Sequence, residues 1–358
     1  MTTISLCMIV RDEEAALGRC LESVKDAVEE IIVVDTGSVD RTKEIAARFT
    51  DKVYDFVWVD DFAAARNFAF SKATMEYCMW LDADDVLTPE AGKKLLSLKE
   101  SLPKDTDVVM ALYQTAFDPA GHPTFSFYRE RILRRCPQAV WKGRVHEAIA
   151  PWGKVYYVDL PIRHQKIKGA DSDRNLRIYE KQIADGEELS PRDLFYYGRE
   201  LYYHQRWRDG ERALERFLRE GRGWLENDIE ACRFLAFCRY GEGDGEAALE
   251  ALLLSLKFDE PRAEVCCDIG KHFMDRTKYR QAVFWYELAL TRKRNDTTGA
   301  FVLDDCYGYL PNIQLCVCYD RLGDKVKAAE YNERAGVCKP DSKAVGENRR
   351  YFNGLGIK

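Results

Sequence analysis

The sequence lacks an excess of basic charge, long apolar runs and closely paired cysteines. With 54 Lys and Arg against 60 Asp and Glu, its formal net charge is -6. This balance argues against a general nucleic-acid-binding protein, because phosphate neutralisation needs a basic excess. No apolar run approaches the ~20 residues that span a bilayer, and the opening residues do not resemble a signal peptide. The 12 cysteines are scattered and none forms a CxxC motif, so we expect reduced, mostly buried thiols and a cytoplasmic protein.

The two halves of the chain have different hydrophobic periodicities. Up to residue 117, short β-rich runs such as "ISLCMIV" and "EEIIVVDTG" alternate with helix-like runs such as "FAAARNFAFSKA". Strands separated by helices predict βαβ units and a largely parallel sheet. In such sheets, ligands bind beyond the carboxyl ends of the strands. The polar clusters "RDEE", "DTGSVD" and "DADD" all follow strand-like runs, so a site is expected there.

From Arg192 onward a 3.6-residue periodicity predicts paired helices. The step from Ala248 to Ala282 is 34 residues, which is the period of tetratricopeptide repeats. Small residues allow paired helices to approach closely, and we expect Gly270 to face Ala282 and Ala289. The predicted organisation is an α/β domain over residues 1–170, a helical linker over 171–192 and an all-α repeat domain over 193–358.

Three carboxylates crowd the segment "WLDADDVL", residues 80–87. Asp85 could cap the helix that follows. The preceding run is apolar enough to be an interior strand, and residues two apart on a strand share a face, so Asp82 and Asp84 can point at one ion. A divalent cation removes the repulsion between carboxylates and prefers oxygen ligands. The cluster therefore predicts an Mg²⁺ or Mn²⁺ site that also holds a diphosphate.

The order of the motifs resembles that of family-2 glycosyltransferases. The matching blocks, within residues 3–165, are "SLCMIVRDEEAALGRCLESV", "IIVVDTGSVDRT", "DDFAAARNFAF" and "WLDADDVL". The resemblance implies a GT-A fold, a nucleotide-sugar donor, usually UDP-linked, and inversion of the anomeric centre. The helical tail further resembles a bacterial subgroup that includes the sublancin-type peptide S-glycosyltransferases.

The resemblance also implies roles for individual residues. Asp82 and Asp84 match the metal-binding pair, and His164 is a candidate third ligand or phosphate contact. The expected donor-binding residues are Glu13, Asp35, Ser38, Arg66, Asn67 and Asp82. Without the surrounding motifs, Arg66 would be interpreted as a surface charge on an ordinary helix.

An inverting transfer needs a base that deprotonates the acceptor. Many family members place a carboxylate after the metal motif, often in an "ED" pair, whereas this chain has "HE" in "WKGRVHEAI". Glu147 is the first candidate and Asp85 the alternative, while His146 is either a packed strand residue or functional. The arginines of "YRERILRR" suit the solvent-exposed face of a strand. Alternatively, Arg131 or Arg134 steers an anionic donor or acceptor.

The leading hypothesis is metal-dependent transfer of a sugar from a UDP-sugar to a peptide or protein side chain that the repeats hold. A second hypothesis replaces the acceptor with a lipopolysaccharide-core or other cell-surface glycan. A third, of another class, is a non-catalytic repeat adaptor with a degenerate transferase domain. The repeats could also support a homodimer.

Overall fold

The computed structural model describes residues 1–118, 121–167, 173–294 and 302–357. These residues form two units, Met1–Leu189 and Ser190–Lys358. The first unit is α/β and the second is mainly helical, which confirms the predicted fold class. Residues 173–189 of the predicted linker fall in the first unit, where helix α5 spans Arg174–Ala184.

One mixed sheet organises the first unit. Its strands are β1 Ile4–Val10, β2 Glu30–Asp35, β3 Val53–Asp55, β4 Tyr77–Trp80, β5 Asp85–Leu87, β6 Val108–Phe117, β7 Pro123–Arg134 and β8 Val155–His164. They lie in the order β3-β2-β1-β4-β7-β6-β8-β5. Neighbours among β1 to β4 are parallel, but β7 runs antiparallel to β4 and β6, and β5 antiparallel to β8. Strand β6 is parallel to β8. The expectation of a largely parallel sheet is therefore correct for β1 to β4 and for the β6–β8 pair, while β4–β7, β6–β7 and β5–β8 are antiparallel.

Four further helices connect the strands of this sheet: α1 Leu17–Val24, α2 Thr42–Ala46, α3 Phe62–Ser71 and α4 Pro89–Ser101. Helix α3 begins where the Asp61 carboxylate accepts the Ala64 N–H at 2.8 Å. Helix α4 begins at a proline, and its cap is Thr88, which accepts the Ala91 N–H at 3.2 Å. The alternative that Asp85 caps α4 is therefore wrong.

Apolar side chains cover both faces of the sheet because successive strand residues point to opposite sides. On β4, Tyr77 and Met79 belong to one buried cluster, and Cys78 and Trp80 to another. All 12 cysteines of the chain are free thiols, and all except Cys136 and Cys338 are buried. In the described parts of the chain, no helix combines the length and the apolar character needed to cross a membrane.

Helices dominate the second unit. They are α6 Pro191–Tyr203, α7 Trp207–Glu220, α8 Leu225–Gly241, α9 Gly245–Leu254, α10 Ala263–Asp275, α11 Tyr279–Thr291, α12 Tyr309–Arg321, α13 Lys325–Cys338 and α14 Lys343–Gly354. A two-residue strand, β9 Val302–Leu303, lies between α11 and α12. Helices α6 to α13 pack as consecutive pairs, as the periodicity predicts.

Glycine permits close packing within these pairs. A Cβ on Gly270 would lie 2.9 Å from the Tyr286 ring, and Tyr286 lies on α11 between Ala282 and Ala289. All three side chains are buried, so the predicted face of α11 is correct. The residue that contacts Gly270 is a tyrosine rather than an alanine.

Candidate functional site

The acidic segment forms a turn between β4 and β5. Strand β4 ends at Trp80 and β5 begins at Asp85, so the prediction that Asp82 and Asp84 share a strand face is wrong. The turn closes because the Asp85 N–H donates to the Asp82 carbonyl and the Asp82 N–H donates to the Asp85 carboxylate, both at 3.0 Å. As a result, the three carboxylates face different partners.

Asp85 is fully buried and holds this turn in place. Its carboxylate accepts bonds from Arg131 Nη1 and the Tyr113 hydroxyl, both at 2.9 Å. Arg131 is also fully buried, and its guanidinium lies 3.7 Å from the centroid of the Trp80 ring. The Asp85 side chain has no exposed surface, so an acceptor cannot reach its carboxylate. Asp85 therefore does not suit the alternative role of general base, and Arg131 is neither on a wet strand face nor able to steer a substrate.

Asp84 faces His164, which ends β8 beside β5. His164 Nδ1 lies 3.2 Å from Asp84 Oδ1, 3.4 Å from Asp85 Oδ1 and 3.0 Å from the Tyr113 hydroxyl. Burial alone would lower the pKa of His164, but its hydrogen bonds with Asp84 and Asp85 raise the pKa to about 10. The structure thus brings together two of the three predicted metal ligands, Asp84 and His164.

The donor atoms of Asp84, Asp85 and His164 lie within 4.8 Å of one another. The carboxylate oxygens suit Mn²⁺ or Mg²⁺, because these cations prefer oxygen ligands. The imidazole of His164 is the less typical ligand for them. A cation would need His164 in its neutral form. Asp85 retains Arg131 as its partner, so Asp84 and His164 are the ligands that fit a cation.

The third predicted ligand, Asp82, is bound to Arg66 of α3. Arg66 Nη2 donates to Asp82 Oδ1 at 2.7 Å, and its Nε donates to Glu147 Oε1 at 2.6 Å. The guanidinium lies 4.8 Å and 4.9 Å from the ring centroids of Trp80 and Trp141. Burial alone would raise the pKa of Asp82, but Arg66 lowers it to about 2. Arg66 is 7% exposed, so it is not an ordinary surface charge.

Glu147 lies in a loop that α3 holds in position. Lys142 and Ala148 exchange backbone hydrogen bonds at 3.0 and 3.1 Å, which closes the loop. The Asn67 side chain accepts the Trp141 N–H at 2.9 Å and donates to the Trp141 carbonyl at 3.0 Å. Asn67, predicted to bind the donor, therefore anchors the loop that carries Glu147.

His146, directly before Glu147, has a left-handed backbone with φ 51°. It lies in this loop and not on the strand that we considered for it. A left-handed conformation is uncommon for residues other than glycine, and here it accompanies the turn that presents Glu147 to Arg66.

The remaining predicted donor residues gather at the ends of β1 and β2. Asp35 Oδ1 accepts the N–H groups of Gly37 and Ser38 at 2.9 and 2.8 Å. The Ser38 hydroxyl accepts the Asp12 N–H at 2.8 Å, which places it beside Glu13. Asp35 Oδ2 is buried and has no hydrogen-bond partner among the described residues. Such an acceptor favours a ligand that carries a donor group.

Sequence reasoning missed Tyr113 and Trp141, and assigned Arg131 the wrong environment. Trp141 lies 74 residues after Asn67 in the chain, and Tyr113 lies 28 residues after Asp85. No local pattern reports such pairings.

The family model described as Glycosyl transferase family 2 matches residues 5–148. A TPR repeat-containing protein of Synechococcus elongatus is 54% identical over 278 residues, covering 72% of this chain and 66% of that protein. The SPbeta prophage-derived glycosyltransferase SunS of Bacillus subtilis is 30% identical over 213 residues, covering 56% of this chain and 49% of that protein. The lipopolysaccharide core biosynthesis glycosyltransferase LpsC of Rhizobium meliloti is 29% identical over 166 residues, covering 42% of this chain and 58% of that protein.

Among solved structures, glucosyl-3-phosphoglycerate synthase from Mycobacterium tuberculosis, in complex with Mn²⁺ and UDP-glucose, has a TM-score of 0.36 and 15% identity. The match covers 53% of this chain and 81% of that one. The chain spans 66% and 49% of the lengths of the first two relatives. The predicted resemblance to a repeat-bearing, sublancin-type transferase is confirmed by these relatives.

Proposed function

Residues 5–148 are a glycosyl transferase family 2 domain, and from that premise we propose that the chain transfers a sugar from a UDP-linked donor to a peptide or protein side chain. The transfer requires a divalent cation and inverts the anomeric centre. The observation that carries the proposal is the Asp84–Asp85–His164 cluster. Asp84 and Asp85 follow β4, and His164 is the last residue of β8. Ligands of α/β sheets bind at such strand ends, and in a sugar-transferring family a cation there can contact the diphosphate of the donor.

Asp84 and His164 would hold the cation, with Asp82 as a further ligand. The cation would supply positive charge to the leaving diphosphate. Because negative charge develops there in the transition state, its stabilisation would accelerate the reaction. The unpartnered Oδ2 of Asp35 suits an N–H donor on the nucleobase. Glu13 and Ser38 lie at the same strand ends and would border the nucleoside.

Glu147 is the candidate base. Arg66 binds its Oε1, and the other carboxylate oxygen would take the proton that the acceptor loses. Arg66 thereby fixes the direction of the carboxylate, and geometry of this kind contributes to general-base catalysis. An attack assisted from the side opposite to the leaving diphosphate gives inversion.

The helical pairs of the second unit support a peptide acceptor, because repeat arrays present extended binding surfaces. The relative named for lipopolysaccharide core biosynthesis favours a glycan acceptor instead. A matched pair of acceptor libraries, one of peptides and one of core oligosaccharides, distinguishes the two when glycosylated products are identified by mass. Light scattering of the full chain tests the predicted homodimer.

The decisive experiment combines a panel of nucleotide sugars with Mn²⁺, Mg²⁺ or EDTA and measures released nucleotide by mass spectrometry. We expect UDP release from one or a few donors, and no release with EDTA. Thermal shift provides a second measurement, in which UDP raises the melting temperature only with a cation. Release that EDTA leaves unchanged would contradict the metal assignment, and a chain that responds to no nucleotide would favour the non-catalytic adaptor.

A further inference from the structure

Arg66 is the one side chain in the described part of the site that bonds both Asp82 and Glu147. These carboxylates belong to different elements: Asp82 to the turn after β4, and Glu147 to the loop that Asn67 anchors. Each receives a different edge of the guanidinium, Nη2 for Asp82 and Nε for Glu147. A change at one carboxylate therefore changes the electrostatic surroundings of the other.

Two aromatic rings pack against the guanidinium. They belong to Trp80 and Trp141, and their own centroids are 5.1 Å apart in an edge-to-face arrangement at 81°. Asn67 fixes the backbone of Trp141 through two hydrogen bonds. Since packing limits the movement of Arg66, a change of partner requires Asp82 to move away from it.

Asp82 can leave because its side chain is 36% exposed, whereas that of Glu147 is 11% exposed. Of the two residues that fit a cation, Asp84 follows Asp82 in the same turn and His164 ends β8 beside it. A cation bound there attracts Asp82 and competes directly with Arg66 for the Asp82 carboxylate. Arg66 Nη1, which is buried and has no hydrogen-bond partner among the described residues, keeps the guanidinium incompletely satisfied in either arrangement.

We infer that Arg66 is a positioning residue that couples the cation site to the candidate base. It holds Asp82 before a cation binds, and once Asp82 turns to the cation the guanidinium is left to Glu147. The base is thereby aligned most firmly when the leaving group can be neutralised. This inference rests on the proposed function for its catalytic meaning, but the coupling itself is measurable without turnover.

The first test measures Mn²⁺ binding to the full chain by calorimetry, in the absence of nucleotide. Arg66→Met removes both the competitor for Asp82 and a nearby positive charge, so we expect Mn²⁺ to bind at least about five-fold more tightly, while sugar transfer is lost. Lys72→Met is the matched control, because it removes a cation at the end of the same helix and should leave Mn²⁺ affinity unchanged. Weaker or unchanged Mn²⁺ binding by Arg66→Met would overturn the inference.

The second test asks whether Glu147 changes the Mn²⁺ affinity of the cation site through Arg66. Glu147→Gln should weaken Mn²⁺ binding about three-fold or more in the native background, because Arg66 then pairs more strongly with Asp82. The same change should have less than about a two-fold effect in the Arg66→Met background. Equal effects in both backgrounds would overturn the coupling.

Arg66→Lys guards against a folding defect in Arg66→Met. It keeps the charge, but one ammonium cannot hold both carboxylates in the same geometry, so the effect of Glu147→Gln on Mn²⁺ binding should fall. A full effect in the lysine background would also overturn the inference. Coupling without any sugar transfer would refute only the proposed function, and transfer without coupling would refute only the role of Arg66.

Discussion

Arg131→Met should destabilise the first unit strongly, because it removes the guanidinium that pairs with the fully buried carboxylate of Asp85. Both side chains are fully buried, and Arg131 Nη1 lies 2.9 Å from Asp85 Oδ2. At an effective dielectric constant of ~20, that separation corresponds to an attraction of about 6 kcal/mol. The Tyr113 hydroxyl and the Asp82 N–H continue to bond Asp85, and His164 Nδ1 remains 3.4 Å from its Oδ1. We therefore expect a loss of about 3–5 kcal/mol, the range for breaking a buried ion pair.

Hydrogen exchange followed by mass spectrometry is the appropriate assay, because a chain with two units need not unfold in one step. Peptides from β4 and β7 should lose protection in Arg131→Met, and peptides from α8 and α10 should not. Lys94→Met is the matched control. It breaks an ion pair with Asp159 of 2.6 Å whose side chains are 46% and 75% exposed, and exposed pairs contribute about 0–1 kcal/mol.

A loss below about 1 kcal/mol in Arg131→Met would refute the reasoning. The double variant Arg131→Met with Asp85→Asn provides the second check. It removes the stranded charge while it keeps an oxygen for Tyr113, so it should recover at least half of the lost stability. A double variant that is less stable than Arg131→Met would show that Asp85 contributes by something other than its pairing with Arg131.

Three other predictions concern the metal site, the pH dependence of stability and the repeats. Asp84→Asn should abolish cation-dependent donor hydrolysis while circular dichroism shows unchanged helical melting, and retained turnover would refute the metal assignment. Burial alone would raise the pKa of Glu30, but Lys52 and other hydrogen-bonding partners lower it from 4.5 to about 2. A carboxylate whose pKa is lower in the folded than in the unfolded state stabilises the fold at pH values above the unfolded pKa. Up to about 3 kcal/mol of the free energy of unfolding should therefore be lost as the pH falls from 4.5 towards 2. Glu30→Gln should make the free energy of unfolding less dependent on pH in this range. Gly270→Ala should destabilise the second unit by about 1–3 kcal/mol in urea denaturation, because its Cβ would lie 2.9 Å from Tyr286; no loss would mean that the helices can separate freely.

Local patterns predicted the elements that depend on local contacts. "ISLCMIV" forms β1 at Ile4–Val10, and "TPEAGKKLLSLKESL" forms α4 at Pro89–Ser101. The β-rich run "KVYDFVWV" predicts a longer strand than the one that forms: only Val53–Asp55 pairs with β2, and this strand lies at the edge of the sheet. Strand β5 was missed, since its three residues become a strand only by pairing with β8.

The same limit applies to the site. The resemblance to family-2 transferases led to Asp84 and His164, which the structure brings together. Sequence could not show which carboxylate of the turn points inwards, because that depends on Arg131, 46 residues after Asp85. The pairing of Arg66 with Glu147 spans 81 residues, and periodicity carries no information about contacts at that separation. Family motifs therefore located the site, while the partner of each side chain within it is visible only in the three-dimensional structure.

The pairing of β5 with β8 affects how the chain is made. The register joins Asp85 to His164, so a ribosome must extend the chain well past residue 164 before the first unit can close around its acidic turn. Contacts at such separation slow folding because the intervening loop must close first. The helical pairs of the second unit rely on neighbours in sequence and can nucleate separately. During synthesis, the earlier half is therefore the one that depends on protection from aggregation while it waits for its last strand.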